Sequence, residues 1–116
     1  MITEKGKLII GVEHEGKTHR EFELRPQLVS DSVETLESKY ADRAKNNDSF
    51  FGLCLLAKQI AKLGDIPKPA ITPDLLMTLT EIDFRAISEA REALESRLRT
   101  FRGEKEESKK ADTRAA

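Results

Sequence analysis

An α+β fold, with an N-terminal β-hairpin followed by about four helices and a disordered C-terminal tail, is what this 116-residue sequence predicts. Three observations lead there. The runs "KLIIGV" and "THREFEL" alternate apolar and polar residues with the period of two that marks strands. After Pro26 the apolar residues recur at helical spacing, between Ser, Thr, Asn and Asp residues suited to capping helices. The last stretch, "EKEESKKADTRAA", has no large apolar residue and cannot join a core.

The length fits a single domain over residues 1–103, enough chain to bury a core without disulfides or a metal. Charged residues make up 35% of the chain but the net charge is only −1, with the two signs mixed along the sequence. That balance argues against a general nucleic-acid binder, which needs a basic face. The one cysteine, Cys54, cannot form an internal disulfide and lies in an apolar run, as a buried small hydrophobe does. No apolar run approaches the ~20 residues that span a bilayer, and "MITEKGKLII" lacks a secretory signal pattern. A cytoplasmic protein without a membrane partner is expected.

The hairpin spans 7–24. Leu8, Ile10 and Val12 share one face of its first strand, and Phe22 and Leu24 share one face of the second, with His19, Glu21 and Glu23 pointing away. Gly16 in the connector tolerates the positive φ of a tight turn. Two strands alone are marginal, so the apolar face must lie on helices or another sheet. A first helix is expected over 31–45, capped by Ser30 or Asp31, with Asp31 and Glu34 at capping-box spacing and a thin apolar stripe of Val33, Leu36 and Tyr40.

A second helix is expected over 49–63, capped by Asp48 or Ser49. It is apolar on more than one face, Leu56 and Ile60 included, and is closed by Gly64 with Lys62 near its negative end. "DIPKPAITP" reads as an extended linker. A short helix over 73–79 starts with Thr72 as cap and Pro73 in the first position. A long one over 81–102 has Thr80 as cap, carries Phe84, Ile87, Leu94, Leu98 and Phe101 on one side, and stops at Gly103 before the tail, 104–116.

The sequence carries no pattern for catalysis or a cofactor. His14 and His19 flank the hairpin turn beside Glu13, Glu15 and Glu21, but without a third rigid ligand they read as a solvated charged turn rather than a metal site. Cys54 has no charged neighbour in its helix to make it a thiolate nucleophile. No glycine-rich loop matches a phosphate cradle. A protein that is not an enzyme, with neither cofactor nor metal, is therefore expected. The helices over 73–79 and 81–102 also allow a helix-turn-helix presenting Arg85 and Arg91 to DNA, which gives a small regulatory DNA-binding protein as the alternative. Glu81, Asp83, Glu89 and Glu92 on the same helix would repel phosphates, so a plain helical hairpin is preferred.

The order of segments resembles the tail assembly chaperones of contractile-tailed phages and Mu-like prophages. The resemblance rests on "FELRPQLVSDSVETLES", "LAKQIAKLGDIPK" and "ITPDLLMTLTEIDFRAISEA". The residues that carry it are Leu24, Arg25 and Pro26; Ala57, Ile60, Leu63, Gly64, Ile66 and Pro67; and Leu75, Leu76, Leu79, Asp83 and Phe84. It implies a non-enzymatic role in the host cytoplasm: binding the helical tape-measure protein, assisting tail-tube assembly, and leaving before the virion matures. The surplus apolar surface of 49–63 then has a purpose, as a groove for a helix, with Phe50, Phe51, Leu55 and Met77 as candidate lining. The same surface, if it serves a partner, implies that the protein alone self-associates or binds a hydrophobic dye. The resemblance further implies a longer product made by ribosomal frameshifting, for which Ser108, Lys109 and Lys110 offer codons able to slip.

Overall fold

In a computed structural model the chain is an antiparallel sheet with helices packed on it. The order is β1 (Glu4–His14), β2 (Lys17–Leu24), α1 (Val29–Leu36), α2 (Ala41–Asn46), α3 (Asp48–Gln59), β3 (Ile60–Leu63), a 3-10 turn (Lys68–Ala70), α4 (Pro73–Leu76) and α5 (Glu81–Ala115). The structure describes the backbone of residues 1–115 and the side chains of residues 1–101. The fold class is α+β, as expected, with β2 at the centre of the sheet order β1-β2-β3.

The hairpin turn is Glu15–Gly16, both at positive φ (50° and 79°), between paired His14 and Lys17. That is the two-residue turn whose twist matches the strands it joins. Farther along, the register breaks. Lys7 pairs with Glu21 and Val12 with His19, so β1 advances five residues while β2 advances two. The three extra residues form a wide bulge over Leu8–Gly11, with Gly11 at φ 101°. The bulge overturns two expectations. Ile10 faces solvent while Leu8 and Val12 are buried. The alternation on β2 also slips opposite the bulge, and His19 turns inward, where its Nδ1 accepts the Asp65 N–H at 3.1 Å.

Polar groups from both sides hold the bulge. The buried Asp83 carboxylate accepts three backbone N–H groups, from Ile9 (2.7 Å) and Ile10 (3.0 Å) on Oδ1 and from Gly11 (2.9 Å) on Oδ2. Arg20 donates to the carbonyls of Leu8 (3.1 Å) and Ile9 (2.8 Å). Burial alone would push the Asp83 carboxyl up. The three N–H donors and the nearby Arg20 charge outweigh it and hold the carboxyl below its ordinary value.

The helix expected over 31–45 is two helices, α1 and α2, and α1 is turned over relative to its apolar stripe. It buries Asp31 and Thr35 and exposes Val29 (86%), Val33 (52%) and Leu36. The physical reason is the ion pair made by Asp31. Arg25 donates to both of its oxygens, at 3.0 and 2.8 Å, and the Leu28 N–H donates at 2.9 Å. Asp31 sits in the first turn and ties the helix start to the end of β2, so a bidentate pair sets the rotation of α1 against its hydrophobic preference. Burial works to raise the Asp31 carboxyl, but Arg25 and the Leu28 N–H leave it below its ordinary value.

α3 is capped by Asn47, whose side chain accepts the Phe50 N–H at 3.1 Å, rather than by Asp48 or Ser49. It ends at Gln59, earlier than expected, and the next four residues form β3 against β2, with Phe22 opposite Leu63 and Leu24 opposite Ile60. Ile60 and Leu63 are buried, and strand pairing satisfies backbone groups there. The C-terminal carbonyls of α3 are met by the Lys68 ammonium, which donates to Ala57 O at 2.9 Å and Lys58 O at 3.2 Å, and also to Ile60 O at the start of β3. This is the role expected of Lys62, which instead lies exposed on β3. Thr72 and Thr80 cap α4 and α5 as expected, accepting the Leu75 N–H (3.2 Å) and the Asp83 N–H (3.3 Å).

The main core lies between the sheet and the helices, centred on Leu8, Phe22, Leu24, Leu56, Ile87 and Leu94. A satellite core joins Ala44, Phe50 and Cys54 beneath Tyr40 and Phe51. α3 is apolar on several sides because it serves both. α5 packs along β1 and is tied there by Arg97, which donates to Thr3 O (3.0 Å) and pairs with Glu4 (2.7 Å). Its backbone continues past Gly103, so the helix end expected at 102 is not found. The disordered tail expected over 104–116, including Ser108, Lys109 and Lys110, falls on residues whose side chains lie outside those described. Among the described residues no helix is long and apolar enough to cross a membrane.

Candidate functional site: an apolar groove beside helix α3

Three elements meet around an open groove of about 440 Å³. α3 contributes Gly52, Leu53 and Leu56, the α4 segment contributes Leu76, Met77 and Leu79, and α5 contributes Phe84. Asp48, Glu81 and Arg91 stand at the rim. The spacing on α3 is helical, so one face of that helix forms a wall of the groove while another reaches the satellite core.

Gly52 is the residue that shapes this wall. Glycine in a helix interior costs roughly 0.5–1 kcal/mol relative to alanine. Here no packing constraint requires it, because a Cβ built at Gly52 meets no atom within 4 Å. The missing side chain keeps that stretch of the groove open.

Of the four residues expected to line a groove, Met77 does so, 45% exposed, with its sulfur 3.6 Å from Arg43 Nη2. Phe50 does not. It is buried in the satellite core, its ring 5.8 Å from that of Tyr40, with the Arg43 guanidinium 4.1 Å above it. Phe51 is half-buried against the same cluster, and Leu55 is half-buried away from the groove. The large apolar lining residues missed from sequence, Leu53, Leu56, Leu76, Leu79 and Phe84, were readable only as core. The mid-helix glycine was the one local signal that pointed to the groove.

The remaining sequence candidates are scattered over the fold. The rings of His14 and His19 lie 6.4 Å apart, and His19 is occupied by Asp65. Among the described residues no three His, Cys, Asp or Glu side chains are grouped to hold a metal ion. Burial pushes the Cys54 thiol up from its ordinary value, away from the thiolate a nucleophile needs. Arg85 and Arg91, six residues apart on one α-helix, project about 120° apart. Arg85 is exposed while Arg91 turns to the groove, so the two do not share one DNA-facing surface. Comparison of the chain with protein-family models, curated proteins and solved structures finds no match.

Proposed function

We propose that this protein is a non-enzymatic phage or prophage tail assembly chaperone whose groove beside α3 takes an apolar stripe of the helical tape-measure protein. The observation that carries the reading is Gly52: a helix-interior glycine without a packing role, opening a groove walled by leucine, methionine and phenylalanine. Such a groove suits the i, i+3, i+4 side chains of an amphipathic helix. Met77, unbranched and polarizable, adapts to different side chains.

The sequence resemblance supports the same reading, and several of its residues have structural roles here. Arg25 fixes α1, Leu24, Ile60 and Leu63 are core, and Asp83 clamps the bulge. In this reading the protein covers a long, aggregation-prone helix in the host cytoplasm until tail-tube subunits assemble on it.

Co-expression tests it. A tape-measure protein encoded in the same genome is expected to be insoluble alone, and to become soluble and co-elute with this protein when the two are made together. A tape-measure protein that stays insoluble, or elutes separately, overturns the reading.

A further inference from the structure

We propose that the Ile9–Ile10 tip of β1 docks into the Gly52 groove of a second copy of this chain, reciprocally, in a two-fold dimer. Ile9 (61%) and Ile10 (52%) are neighbouring large apolar residues left in solvent. They are not on a floppy loop: Asp83 holds the N–H groups of the tip and Arg20 its carbonyls. A tip organised in advance loses little conformational freedom on docking. The same chain carries an apolar groove with room for branched side chains.

Charge favours the match. Arg20 sits at the base of the tip, while Asp48 and Glu81 make the groove rim acidic overall against the single Arg91. The two features also lie close together, because Asp83, which grips the tip, stands on α5 between Glu81 and Phe84 of the groove. In the two-fold arrangement that prevails among homo-oligomers, each copy's tip enters the other's groove and the same contact is made twice. The dimer shares its groove with the helix-binding reading above and so competes with the tape measure. It rests on the groove, not on the identity of that helix.

Sedimentation velocity on the full chain across a concentration series tests it. The wild type is expected to form dimers. Ile9→Glu with Ile10→Glu, and separately Gly52→Leu, are expected to give monomers. An equimolar mixture of these two proteins regains a weaker dimer, because one intact tip meets one intact groove. Ile9 and Ile10 face solvent and a Cβ at Gly52 meets open space, so circular dichroism should show wild-type helix content. As a second route, Asp48→Lys with Glu81→Lys at the rim should weaken association at least tenfold. A wild type that stays monomeric, dimers that survive all three variants, or a mixture that stays monomeric overturns the proposal. The Ile9→Glu, Ile10→Glu protein keeps its groove. Its ability to solubilise a tape-measure protein therefore reports on the chaperone reading separately from the dimer.

Discussion

The Asp83 carboxylate accepts the Gly11 N–H at 2.9 Å, joining residues 72 positions apart in the chain. With the Ile9 and Ile10 N–H groups it completes a clamp that holds the β1 bulge on the first turn of α5. Asp83→Ala leaves three donors without their acceptor and is expected to cost about 2–4 kcal/mol, with Asp83→Asn costing less. Urea unfolding measures it. A loss below about 0.5 kcal/mol, the usual range of an unimportant surface site, would show that the clamp does not hold the bulge.

Acid stability follows from the same residue and from Asp31. Both have folded-state pKa values below the ordinary 3.8. A carboxyl depressed by folding adds stability that is fully present above its unfolded pKa and is lost as pH falls through its folded pKa. Both contributions should fade over the acid window that opens below about pH 5. Asp83→Asn should flatten that decline, seen as a smaller change in urea midpoint over the window. An unchanged decline would mean that Asp83 titrates alike in both states.

The rotation of α1 can be checked by ranking two substitutions. Arg25→Met strands the buried Asp31 carboxylate. Because the Arg25 side chain keeps 24% of its exposure, the cost is expected at about 2–3 kcal/mol, toward the lower end for broken ion pairs. Val33→Ser, on the outward stripe, should change stability by less than about 0.5 kcal/mol. Thermal melts giving the opposite ranking would put Val33 inside.

What was legible in the sequence was local. Alternation gave β2, Gly16 the hairpin turn, Thr72 and Thr80 the starts of α4 and α5, and helical spacing the existence of α3. What was missed depends on partners distant in sequence or on a competition between local and tertiary terms. No pattern within residues 7–12 announces a bulge, because the acceptor that stabilises it is Asp83. Val33 and Leu36 read as an inward stripe until Arg25 is seen to pull Asp31 inside. Ile60 and Leu63, three residues apart, have helical spacing, and both are buried from β3 only because its pairing with β2 shifts register between Glu23 and Leu24. The groove was half legible. Met77 was recognised, but Phe50 went to the core because α2 and the Tyr40 before it supplied it with Ala44, Arg43 and an aromatic ring.

Gly52 gives a stability test of opposite sign from the others. With open space at its Cβ position and helical backbone on both sides, Gly52→Ala is expected to stabilise the protein by about 0.5–1 kcal/mol. A destabilising result by urea unfolding would mean that the glycine has a packing role and that the groove is narrower than described.

Whether the groove beside α3 holds a partner helix is decided by fluorescence anisotropy. A labelled amphipathic peptide from the tape-measure protein of the same genome is titrated with wild-type protein and with Gly52→Leu, after circular dichroism has shown the variant folded. Filling the groove should weaken binding at least tenfold, a difference of about 1.4 kcal/mol. Equal affinity for the two proteins, or no saturable binding by the wild type, would mean that the groove does not take a partner helix.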